Sequence, residues 1–318
     1  MAEKMNFSVQ DAVLDNLERL SREYSIISDQ RLLELWDIAI PMVKTSLELF
    51  DEGLDSYDVL SVVSEVLSFG EYRVSEYTTP EHRDLISRGT RVLARSDRAL
   101  FTDLYLRGLS EARRPFDEGD FLIEGSSSEM FTYVRNSLSD EAYDVFSQEF
   151  SDPRVRYSDN FKDAARLLSS GEVDFCLFPL EEKGGARLPT VAELIFRNDF
   201  KINSVTPVFG PDGNADMKYA LVSRSFSVPK RKADDDIYLE LRLGADVDTA
   251  LSELLSASDH FGMTLYRVNT VNFDTEGESE TYFSVVIKDG GTGFAPLLVY
   301  LALFVRDFVP VGIYKNLE

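Results

Sequence analysis

The chain has 318 residues, 44% of them hydrophobic and 12% aromatic, which is ordinary for a folded protein and long enough for about two or three domains. Its 33 basic and 56 acidic residues leave a formal charge of -23, and such a surface repels nucleic acid and anionic membranes. One cysteine, Cys176, and two histidines, His82 and His260, cannot build an intrachain disulfide or a zinc site of the usual kind, so neither metal nor cofactor is expected.

The first residues, MAEKMNFSVQ, lack the apolar segment of a signal peptide. The most apolar run, Phe294 to Val305, has 12 residues including Pro296, too few to span a bilayer. The expectation is a cytoplasmic protein without a membrane partner.

Residues 8 to about 115 read as helical throughout. Ser8 and Asp11 suggest a capping box ahead of Val13, Leu14, Leu17 and Leu20. A second helix starts near Asp29 and carries Leu32, Leu33, Leu35, Trp36, Ile40, Val43, Leu47 and Phe50, with Pro41 expected to kink or break it. A third follows over Val59 to Leu67, and Thr79-Pro80-Glu81 is a helix start. Arg83 to Arg114 holds eight arginines against four acids, a local charge of +4 in an acidic chain. Arg88, Arg91, Arg95 and Arg98 recur on one helical face and can grip a small di-anion or pair with acidic residues elsewhere.

Beyond a charged linker at Pro115 to Asp120 the periodicity changes. Phe121-Leu122-Ile123 reads as a strand, and Gly125, Ser126 and Ser128 as an anion-holding turn that opens a helix over Met130 to Leu138. Ser139 is the expected cap of the next helix, and Val155 to Tyr157 a strand. The stretch FKDAARLLSSGEVDFCLFPLEE, Phe161 to Glu182, reads as a helix stopped at Gly171 and a strand buried on both faces. It ends in two carboxylates, Glu181 and Glu182, at the strand end where ligands gather in open α/β sheets. Thr190 to Phe196 is then helical, with strands over Ile202 to Val208 and Tyr219 to Ser223 and a turn at Pro211 to Asn214 between them. The last eighty or so residues read as βαββαβ, the ferredoxin-like order, opening on a half-buried strand that bears Ile237, Leu239, Leu241 and Leu243.

From Phe121 onward the sequence resembles prephenate dehydratases that end in an ACT domain. Phe121 to Glu129 is similar to the family's LGPEGTFSE opening, and Phe161 to Glu182 to its F..V..AV..G.AD.GVLPIEN. Met217-Lys218-Tyr219 stands where the family has TRF, Thr249-Ala250-Leu251 at the ACT motif GAL, and Val311 to Tyr314 at the terminal LGSYP. The resemblance implies Glu181 as the catalytic candidate and Gly125, Ser126 and Ser128 as substrate contacts, to which the helical part can add Arg88, Arg91 and Arg95. Ala250 and Leu251 are the implied contacts of a regulatory ligand in the ACT part. A small carboxylate (prephenate, chorismate or an aromatic amino acid) is the implied ligand. The ACT sheet edge makes a homodimer the default.

Two departures stand out. The family's proton-donating threonine is Met217, and only 21 residues separate Leu194 from Asp216, too few for a second α/β lobe. Asp246 and Asp248 flank the ACT helix start and would repel a carboxylate, and Asn269 to Asn272 replace the family's ESRP.

The resulting expectation is an α+β / α/β multidomain chain. Residues 1–117 form an all-helical domain, placed like a chorismate mutase by position only. Residues 118–230 form a single truncated dehydratase-like α/β lobe, and 235–318 a ferredoxin-like ACT domain. The functional expectation is a dehydratase-like sensor or regulatory protein of aromatic amino-acid metabolism. The alternatives are an active prephenate dehydratase or chorismate mutase-type enzyme with a rebuilt site, and a structural protein-interaction module.

Overall fold

The computed structural model of the chain describes residues 28–67, 93–121, 129–183, 185–209, 215–232, 235–244, 250–275, 278–305 and 307–317. They belong to two compact units, Met1–Leu54 with Val62–Pro115, and Asp55–Ser61 with Phe116–Glu318. The caps expected at Ser8 and Thr79, the turn at Pro211 to Asn214, and Asp246 and Asp248 lie outside the described residues.

The described residues of the first unit are helical apart from turns: α1 over residues 28–51, the later part of α2 (Ser56–Leu67), and α3 (Arg95–Glu111). Helix α1 runs on through Pro41 without a break. Its buried residues are Leu35, Ala39, Met42, Thr45, Ser46 and Leu49, while Leu33 and Ile40 are 66% and 58% exposed, which corrects the broader expected stripe. The sequence offers more apolar residues than one face can bury. The face that wins includes the small Ala39 and Ser46, because α3 comes close: a Cβ on Gly108 would lie 2.7 Å from Val43 Cγ2. Ser46 Oγ donates to the Met42 carbonyl at 2.8 Å and lies 2.7 Å from the Tyr105 hydroxyl, so this buried polar pair is satisfied.

In the second unit a short 3-10 turn, Glu118–Phe121, precedes a five-stranded sheet. Its elements are β1 (Met130–Val134), α4 (Ser137–Ser147), β2 (Arg154–Ser158), α5 (Phe161–Ser169), β3 (Phe175–Glu182), α6 (Pro189–Arg197), β4 (Lys201–Phe209) and β5 (Ala215–Ser223). The strand order is β2-β1-β3-β5-β4, with β1 parallel to β2 and β3, and β5 antiparallel to β3 and β4. Among the described residues this is the only α/β sheet.

Three expectations are corrected here. Phe121 ends the 3-10 turn instead of opening a strand. Met130 to Val134 is β1, not helix: Met130, Phe131, Val134 and Leu138 fit helical spacing, but Phe, Thr, Tyr and Val favour a strand once β2 and β3 flank them. The following helix is capped by Asn136, whose side chain accepts from Leu138 N and Ser139 N, with Ser139 Oγ accepting from Asn136 N in return.

The stretch from Phe161 to Glu182 folds as its pattern predicts. Asn160 caps α5, and Gly171 leaves it at φ +76°, where L side chains are strained. Residues Cys176 to Glu181 of β3 are then all buried. Pro179 sits past the end of the β1 ladder, and the register with β5 shifts between Pro179 and Glu181.

The chain closes with β6 (Ile237–Gly244), α7 (Ala250–His260), β7 (Thr264–Thr275), β8 (Glu278–Lys288), α8 (Ala295–Phe304) and β9 (Phe308–Lys315). The antiparallel order β7-β8-β6-β9 is that of a ferredoxin-like βαββαβ sheet. Tyr238, Val271, Val286, Val311 and Tyr314 share one core with Phe178, Leu180, Val191, Ile195 and Val205 of the first sheet and its helices. Strand β6 is therefore covered on both faces, and the half-buried expectation fails because Tyr238 and Glu240 are buried as well.

The two sheets also meet at their edges. Leu317 N donates to the Val205 carbonyl at 2.7 Å, and Lys201 Nζ to the Pro310 carbonyl at 3.0 Å. A Cβ on Gly312 would stand 2.2 Å from the Ile202 carbonyl oxygen. Gly312→Ala should therefore lose about 1–3 kcal/mol in urea denaturation. Gly244→Ala, whose added carbon meets only Asp307 at 3.8 Å, should stay within about 0.5 kcal/mol.

Candidate functional site

Strand β3 delivers Glu181 into the interior at the point where its register with β5 shifts. The chain then reverses in a tight hairpin. Gly185 N donates to the Glu182 carbonyl at 2.8 Å, Glu182 N to the Ala186 carbonyl at 2.9 Å, and Leu188 N to the Leu180 carbonyl at 3.2 Å. Gly185 holds φ +85°, and Arg187 pairs back against Glu181 as an isolated antiparallel bridge. Six residues of sequence thus put a guanidinium beside a carboxylate, both side chains 7% exposed.

Arg187 reaches past Glu181 to the ferredoxin-like sheet. Its Nη2 donates to Glu240 Oε2 of β6, and its Nε lies 3.8 Å from Glu181 Oε1. Glu240 also accepts from Ser284 Oγ at 2.9 Å and from the Tyr314 hydroxyl at 3.0 Å. Arg267 of β7 pairs with Glu181 Oε1 and donates to the Gly185 carbonyl at 3.1 Å. Lys218 of β5, opposite Glu181 in the ladder, holds its Nζ 3.7 Å from Glu181 Oε2.

Burial alone would pull the Arg187 pKa down, but the Glu240 and Glu181 carboxylates outweigh it and hold it up, so Arg187 is a fixed cation. Burial first, and then the Glu240 charge, push the Tyr314 hydroxyl well above its ordinary value, so it stays a neutral donor. Burial likewise raises the Cys176 thiol and leaves it inert.

The sequence-derived candidates fall in different places. Glu181 is buried within this ion network. Arg95 is the exposed first residue of α3 in the first unit. Ala250 and Leu251 open α7, with Leu251 half-buried. Gly125, Ser126, Ser128, Arg88 and Arg91 lie outside the described residues. Met217 faces Glu182 across the β3–β5 ladder and packs against the core around Phe131 and Tyr219. Arg187, Glu240 and Arg267 carry no sequence signal, and Tyr314 is marked in the sequence only as the end of the terminal motif. A charged residue alternating with leucines in β6 reads as a solvent-facing position until a second layer covers it.

Among the described residues no group of three or more His, Cys, Asp or Glu side chains is placed to hold a metal ion, and no helix is long and apolar enough to cross a membrane.

No protein-family model and no curated protein matches this chain. Among solved structures, the chain is similar to the prephenate dehydratase of Streptococcus mutans: 15% identity over 60% of this chain and 100% of that one, with a TM-score of 0.47. GqqA, described as a novel type of quorum-quenching acylase, matches at 18% identity over 59% of this chain and 96% of its own, with a TM-score of 0.44. The prephenate dehydratase of Arthrobacter aurescens, solved in complex with L-Phe, matches at 15% identity over 58% and 89%, also at 0.44.

The Arg187–Glu240 pair makes a direct prediction. Arg187→Met, which leaves two buried carboxylates short of a cation, should cost about 3–5 kcal/mol of stability in equilibrium unfolding. Adding Glu240→Leu to that variant should recover a substantial part of the loss, since no uncompensated Glu240 charge is then left.

Proposed function

We propose that this chain is a divergent relative of the prephenate dehydratases that no longer dehydrates and that serves as a binding or regulatory protein of aromatic amino-acid metabolism. The kinship rests on ordered residues. The segment Phe161 to Glu182 lies on α5, a glycine turn and β3, Met217-Lys218-Tyr219 lies on the neighbouring β5, and a βαββαβ module follows.

The loss of dehydration rests on Met217. Expelling water from a cyclohexadienol requires a proton donor at the leaving hydroxyl. The family position for that donor carries a thioether, which has no proton to give. Glu181 offers no substitute, because it is already engaged by Arg187, Arg267 and Lys218 as a structural anion. Losing a general acid costs about 10²–10⁴ in rate.

Purified full-length protein supplied with prephenate should therefore form phenylpyruvate at least about 10²-fold more slowly than the ordinary enzyme range of about 1–10³ per second. Met217→Thr should not restore an ordinary rate, since Glu181 stays committed. Turnover by the wild-type chain within the ordinary range would overturn the proposal.

A further inference from the structure

After Pro115, where the chain passes into the second unit, Phe116 and Asp117 lead into the 3-10 turn Glu118–Phe121 and form a strap. The strap is tied together from within. Gly119 N donates to Asp117 Oδ1 at 2.6 Å, and Asp117 N to Asp120 Oδ2 at 2.8 Å. Asp120 Oδ1 accepts from Ser56 Oγ at 2.7 Å, and the Phe121 ring lies 6.4 Å from that of Phe116 and edge-on to that of Tyr57 at 5.6 Å. Residues 55–61 are the other segment at which the chain passes between the units, so the two connections are clasped to each other.

Glu118 ties this clasp to the ferredoxin-like module. Its Oε1 accepts from Phe294 N at 2.6 Å and from Arg231 Nη2, while Arg231 Nη1 donates to Asp289 Oδ2. Asp289 Oδ1 accepts from Gly291 N at 2.9 Å and Gly293 N at 3.1 Å, which shapes the loop ahead of α8. Gly293 holds φ +81°, and a Cβ there would lie 3.2 Å from Glu118 Oε1, so glycine lets the carboxylate reach the start of the helix, where the helix dipole favours an anion. We infer that Glu118 is a charge-held latch, which opens locally and releases the clasped connections while both sheets stay folded.

Exposure separates this latch from the Arg187 lock. Arg187 and Glu240 are 7% and 2% exposed, whereas Arg231 is 32% exposed and stands in the irregular stretch between β5 and β6. Water and salt therefore reach the Glu118–Arg231 pair. Opening it breaks no sheet hydrogen bond, and the strap's own bonds and its contacts with Ser56 and Tyr57 travel with it. Such a contact belongs to the low-energy end of local opening. The inference needs no dehydratase ancestry, and the outcome of a prephenate assay does not bear on it.

Hydrogen exchange of the full-length protein, read by mass spectrometry on the strap (residues 116–121) and on β3 as reference, tests it. Raising NaCl from about 0.02 to about 0.5 M should speed exchange of the wild-type strap and leave β3 unchanged. Glu118→Gln and Arg231→Met should each speed the strap by about ten-fold or more at low salt and lose its salt dependence, again with β3 unchanged. Arg231→Lys, which keeps the charge, should fall between Arg231→Met and wild type. Arg154→Ala, which removes an exposed pair on β2, should leave the strap at the wild-type rate. The wild-type salt series keeps the test decisive if a variant misfolds. A strap that ignores salt, a wild-type strap rate in Glu118→Gln, or strap and β3 accelerated by the same factor overturns the inference.

Discussion

A single arginine enclosed between two carboxylates sets the arrangement of the second unit. Arg187 lies in a hairpin of the first sheet and donates to Glu240 in the middle of the second, with Glu181 on its other flank. In a dry interior each of these charges would be costly alone, and together they are tolerable only in one relative placement of the two sheets. Tyr314 and Ser284 use further acceptor capacity of Glu240, and Arg267 ties β7 to the same carboxylate that Arg187 flanks. Apolar contacts around Phe178, Val205, Val286 and Val311 supply the attraction between the layers. The ion network supplies their register. A buried ion pair adds little net stability, but a placement that separates its partners leaves an uncompensated buried charge.

The same constraint reorganises the reading of the site. A carboxylate at the end of a buried strand is a reasonable candidate for chemistry. Here Glu181 is drawn inward where β3 and β5 change register and is met by cations from three other segments: the hairpin, β5 and β7. Met217, opposite Glu182 on the neighbouring strand, adds a thioether that has no proton to give.

Much of the fold was legible because its signals are local. The stripe on α5, the stop at Gly171 and the apolar run of β3 each lie within a dozen or so residues. The errors arose where a pattern fits two periods or where a distant layer decides. Met130 to Leu138 satisfies helical spacing, and only β2 and β3 make its first half a strand. Glu240 reads as a solvent-facing residue in an amphipathic strand, and only the hairpin at Gly185 and Arg187 turns it into a buried partner. Glu181 was visible as a singular residue, but its partners at 187, 218, 240 and 267 are brought together by topology that no spacing encodes.

If Arg187 locks the two sheets into one register, they should open as one cooperative body. Native-state hydrogen exchange on the full chain measures this directly, by comparing the amides of β3 around Leu177 and Phe178 with those of β6 around Leu239 and Leu241. The account predicts a common opening free energy and a common sensitivity to denaturant for both strands. Exchange of β6 through a separate, lower-energy opening while β3 stays protected would contradict it.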